Sequence, residues 1–223
     1  YRLDNDFLFD ACSSGEVDIL PSAKLPSFRS NPYIKEVYAD DDDWHTQLQQ
    51  DARGEQRALV LLVNFQNTSA PLYDATSIGP MVFNEMSTFY VENSYNKITG
   101  ITGDIFPESG WYKIPMNNSC SSGFEITTKA MALADSDNVD FTQYGRMFFV
   151  LPECSSTADV GKRIVSTPDG QVRMSTSWIG GGSMADVHLF AHEFGHNLGV
   201  GHANSLDCDR RITAPSGCYS GEY

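Results

Sequence analysis

Ala58-Leu59-Val60-Leu61-Leu62-Val63-Asn64-Phe65 is an apolar run of strand length broken by one polar residue. It does not alternate, so it predicts a strand buried on both faces, the pattern of a parallel sheet covered on each side. Downstream, residues 78–95 place Met81, Val82, Met86, Phe89 and Tyr90 on one face of a helix. Residues 98–106 alternate like a strand, with glycines that mark a bulge or bend. Residues 124–134 fit a second helix, with Ile126, Ala130, Met131 and Leu133 inward, and 146–151 read as another buried strand stopped by Pro152. Thr167-Pro168-Asp169-Gly170 is a strong turn signal, with 163–166 and 171–177 as hairpin arms. Gly180-Gly181-Gly182-Ser183 then links to a third helix over 185–198. Strands and helices in this order predict an α/β domain with a mixed sheet.

Upstream of the buried run the text changes. Residues 1–56 are rich in Asp, Ser and Pro and read as an N-terminal extension or pro-segment remnant, with the main domain spanning 57–223. Asp40 to Asp43 reads as a solvated loop, since it lacks the spaced oxygens and the glycine of a calcium loop. The 223 residues suffice for a sizeable core, and 41% hydrophobic residues with 13 Phe and 10 Tyr predict a globular chain. A net charge of −14 argues against nucleic acid, which needs an excess of Lys and Arg. No apolar run is long enough to span a bilayer. The sequence opens at Tyr1 without a leader, which suggests a mature or excised product.

Five cysteines, Cys12, Cys120, Cys154, Cys208 and Cys218, lack the close pairing of a thiolate metal site and fit disulfides in an oxidising compartment. Cys120 with Cys154 and Cys208 with Cys218 are the expected pairs. Cys12 is left over, as a free thiol, a partner for a cysteine elsewhere, or a thiolate blocking a metal. The sequons Asn67-Thr68-Ser69 and Asn117-Asn118-Ser119 agree with secretion and offer two N-glycan sites.

The third helix carries the chemistry: His192-Glu193-Phe194-Gly195-His196-Asn197-Leu198-Gly199-Val200-Gly201-His202. His192 and His196, one turn apart, share a helix face and can reach one ion. Gly199 can end the helix in the left-handed conformation and return the chain so that His202 joins them. Three imidazoles with an open fourth position are the ligand set of a catalytic zinc, and Glu193, beside them, suits a general base. His188 lies one turn before His192. It is either a fourth ligand, which would close the site, or a histidine outside the ligand set.

Every fixed position of H-E-x-x-H-x-x-G-x-x-H is present, and the motif resembles that of the metzincin zinc metalloendopeptidases. The run Leu59 to Phe65, the segment Phe89-Tyr90-Val91-Glu92-Asn93-Ser94-Tyr95 and the stretch Ser183 to His202 narrow the resemblance to the gametolysin family, over roughly Arg57 to His202. The resemblance implies a twisted mixed sheet with two long helices above a zinc helix. It also implies a substrate extended along an edge strand, which in this chain falls within 172–178. One feature departs. The family carries a methionine-containing turn after the third histidine, and here no methionine follows Met184, so the lower subdomain is expected to be incomplete.

The function the resemblance implies is that of a secreted endopeptidase cleaving extracellular, cell-wall or matrix proteins. A zinc-activated water attacks the peptide bond, and Glu193 moves its proton to the leaving amine. The competing reading is a non-catalytic matrix protein that retains a zinc helix. No phosphate loop and no nucleophile elbow is present.

Overall fold

The computed structural model describes residues 41–69, 71, 73–151, 153–180, 186–202, 204–207 and 219–222. The readings of Cys12, of the Cys208–Cys218 pair, of Gly181 to Ser183 and of most of the N-terminal extension concern residues outside these. In chain order the elements are α1 (Asp41–Asp51), β1 (Gly54–Phe65), a helical run α2 (residues 75–93), β2 (Ile98–Phe106), β3 (Tyr112–Ile114) and α3 (Gly123–Ser136). Then come β4 (Arg146–Val150), β5 (Thr157–Ala158), β6 (Arg163–Thr167), β7 (Gly170–Ile179), α4 (Val187–Asn197), β8 (Asn204–Asp207) and β9 (Tyr219–Glu222). They form an α/β fold.

The apolar run lies at the centre, as its lack of alternation requires. β1 is buried from Ala58 through Phe65. Leu59, Leu61, Val63 and Phe65 face a core with Met147, Phe149 and the α3 residues Ile126, Ala130 and Ala134. Ala58, Val60 and Leu62 face the opposite core, with Phe148, Ile78, Val82 and Met86 of α2, and Phe190 and Phe194 of α4. One strand thus supplies both cores by the period-2 geometry of its pleat. The largely parallel seven-stranded sheet has the order β2-β1-β4-β7-β5, with β3 also on β1 and β6 also on β7. β8 and β9 form a separate antiparallel pair.

α2 begins at Ala75, capped by the Asp74 carboxylate, which accepts from Thr76 N at 2.9 Å. It runs as α-helix over Ala75–Gly79, widens to π-helix over Pro80–Met86 and returns to α-helix over Ser87–Asn93. Pro80, which has no N–H to donate, stands at the first position of the widened segment.

Two expectations are corrected. Asp41 to Asp43 belong to the first turn of α1 and not to a loop. β7 is not an edge strand either. Its residues 175–179 pair with β4 on one side, while β5 and β6 pair with it in antiparallel fashion on the other. The hairpin at Pro168 and Asp169 folds the preceding arm back over it, and the outer position passes to β5 and β6.

Candidate metal centre

α4 is placed by its apolar face. Phe190 and Phe194 are fully buried, their rings 5.9 and 6.2 Å from that of Phe148 on β4. Asp186 caps the helix by accepting from His188 N at 2.9 Å. At the other end Gly199 N donates to His196 O at 2.8 Å and Val200 N to Gly195 O at 3.0 Å. Gly199 takes φ +95°, the left-handed conformation open to a residue without a Cβ. That turn returns the chain and delivers His202.

The structure brings His192, His196 and His202 together. His196 Nε2 stands 3.2 Å from His192 Nε2 and 3.1 Å from His202 Nε2. The three can hold a metal ion, their ligand atoms all lying within 4.8 Å of one another. Nitrogens at about 2.0–2.1 Å from one tetrahedral ion stand about 3.3 Å apart, so the spacing fits. The tautomer fits as well. His196 Nδ1 lies 2.8 Å from Val200 O, and a carbonyl only accepts, so Nδ1 carries the proton and Nε2 presents its lone pair. Burial, with His196 and His202 as neighbours, pushes the His192 pKa down and favours the neutral ligand form. His188 is exposed and stands outside this group.

Glu193 is buried, at 4% exposure, although the neighbouring His192 is exposed and His196 half-buried. Its Oε2 has no hydrogen-bond partner among the described residues. Burial raises its pKa, with His196 pulling the other way. A buried carboxylate oxygen without a partner is costly unless a proton or a ligand comes to it.

Sequence reasoning missed what holds the helix. Arg146, at the head of β4, is fully buried. Its Nε and Nη2 donate to Gln56 Oε1 at 2.9 and 2.7 Å, its Nη1 to Ser175 Oγ at 3.1 Å and to Asn197 O at 2.8 Å, and its Nη2 also to Asp51 O at 2.7 Å. Asn197, next to His196, accepts from Ser177 Oγ at 2.9 Å and donates to Asp159 O at 2.8 Å. Gly161 N donates to His196 O at 3.1 Å. The C-terminal end of α4 is thereby bolted to β4, to β7 and to the segment between β5 and β6. A charged residue opening an otherwise apolar strand was the available signal.

Cys120 and Cys154 form a disulfide, as expected, joining the approach to α3 with the segment after β4. Asn67 and Asn117 are exposed, and their loops touch: Asn118 N donates to Asn67 Oδ1 at 2.8 Å and Gln66 Nε2 to Asn117 Oδ1 at 3.0 Å. Among the described residues no helix is long and apolar enough to cross a membrane. No known protein family, curated protein or solved structure matches the chain.

Proposed function

We propose that this chain is a zinc-dependent endopeptidase of the metzincin type, resembling the gametolysin family, that acts on extracellular proteins. The observation that carries the reading is the convergence of three imidazoles beside a buried carboxylate oxygen that lacks a partner among the described residues. His192, His196 and His202 hold the zinc, and no fourth protein ligand joins them among the described residues. The metal, when bound, supplies a Lewis acid that polarises a carbonyl and acidifies water. Glu193 takes the proton of the attacking water and passes it to the leaving amine.

A peptide substrate adds to the sheet through main-chain hydrogen bonds. Among the described residues β5 and β6 each pair only with β7, which makes their outer side the edge proposed for the substrate. The disulfide and the two exposed sequon asparagines support an extracellular setting. Glu193→Gln tests the mechanism. It retains zinc and loses peptide hydrolysis by several orders of magnitude, whereas turnover at the wild-type rate would refute the assignment.

A further inference from the structure

α1 and the metal-bearing helix end at one place. Leu48 of α1 lies against Gly199, where an added Cβ would come within 3.0 Å of Leu48 Cδ1. Three residues on, Asp51 forms a two-pronged pair with Arg173 of β7, Oδ1 with Nη1 and Oδ2 with Nη2, each at 2.7 Å. Lys162 Nζ stands 4.0 Å from the same carboxylate. The Asp51 carbonyl accepts from Arg146 Nη2, and Arg146 Nη1 donates to the carbonyl of Asn197. One guanidinium therefore joins the last residue of α1 to the last residue of α4.

We propose that α1 is a positioning element of the metal centre: Asp51 anchors it to the sheet, and Leu48 supports the Gly199 turn that delivers His202. His192 and His196 are set by the geometry of α4 itself. His202 is the one ligand beyond the helix end, so its place depends on what holds the turn from Leu198 to His202. Leu48 is the contact that α1 brings to that end, beside Arg146, Ser177 and Gly161, which hold the last residues of α4. The metal-binding unit thus extends upstream of β1, into a segment that a removable pro-piece would leave dispensable. Metal binding and α1 docking are then linked reciprocally, each strengthening the other.

The inference rests on the three histidines binding zinc and is independent of whether peptides are cleaved. The test uses the full chain. Zinc affinity is measured by competition with a chromophoric chelator for wild type, Leu48→Ala, Leu48→Met and Asp51→Asn, beside the melting temperature of each metal-free form. Leu48→Ala and Asp51→Asn weaken zinc by about tenfold or more, as loss of a supporting partner does, and Leu48→Met stays close to wild type. Hydrogen exchange on the wild-type chain supplies a readout that no misfolded variant can confuse. Amides of residues 46–51 exchange more slowly with zinc, and His202→Ala removes that protection. Unchanged zinc affinity in Leu48→Ala, even with a lowered melting temperature, would overturn the proposal. So would α1 exchange that ignores zinc. A wild-type chain that binds no zinc would refute the metal reading itself, and this inference with it.

Discussion

The hydroxyl of Tyr90, on α2, donates to the carbonyl oxygen of Ala191, on α4, at 2.6 Å. Ala191 immediately precedes His192, so the bond fixes the backbone of α4 beside the first of the three clustered histidines. The two residues are 101 positions apart in the chain. The Tyr90 ring meets Phe194 edge-on at 4.8 Å, and a Cβ on Gly195 would stand 3.3 Å from its hydroxyl. Gly195 thus lets the tyrosine reach the helix backbone.

Tyr90→Phe keeps the ring and removes the bond, costing about 1 kcal/mol of stability. Gly195→Ala crowds the hydroxyl in the wild type but less in the Tyr90→Phe background. Urea unfolding of the two single variants and the double variant gives the coupling between them. Strictly additive losses would contradict the contact.

Arg146→Met leaves Gln56 Oε1, Asn197 O and Asp51 O in the interior without their donor. The expected loss is about 3–5 kcal/mol, in the range of broken buried polar networks. Denaturant unfolding checks it. A loss below about 1 kcal/mol, typical of a surface substitution, would show that the network is not what holds α4 to the sheet.

Lys162 gives a pH signature. Burial, reinforced by Arg146, pushes its pKa from 10.5 down to about 8. Below pH 8 the group is charged in both states, and the burial penalty is fully present. Between pH 8 and 10.5 the folded chain has released the proton while the unfolded chain still holds it, so stability rises with pH. Unfolding free energies of wild type minus Lys162→Met should therefore climb across that window. A flat difference would contradict the burial of the charge.

Asn67 and Asn117 offer their carboxamide oxygens to Asn118 N and Gln66 Nε2, and in neither bond does the amide nitrogen, the atom that bears a glycan, take part. In a secreting eukaryotic host, intact mass should fall by one glycan in Asn67→Gln and by one in Asn117→Gln. Masses equal to the bare polypeptide would remove the sequons as support for secretion.

The strands were the most legible part. Residues 98–106 form β2 over those same positions, although burial there falls on Ile98 and Ile101 and does not alternate, and the run from Ala58 to Phe65 forms the buried part of β1. The histidine spacing led directly to the triad because a helix places i and i+4 on one face and Gly199 permits the return. Periodicity could not tell which hairpin arm lies outside, since both arms of 163–179 have strand patterns. Only the pairing of β7 with β4 settles that. The hub of Arg146, Asn197 and Asp51 was not legible, because Arg146 and the Asp51 carbonyl it binds stand 95 positions apart along the chain. Nor does the acidic text of α1 announce that Leu48 meets Gly199.

The most direct test of the central claim is zinc stoichiometry of the purified chain together with peptide cleavage, before and after a chelator. The account predicts about one zinc per chain, held by His192, His196 and His202. It also predicts cleavage that the chelator abolishes and added zinc restores. Cleavage that survives complete removal of metal, or zinc bound equally well after His196→Ala, would contradict it.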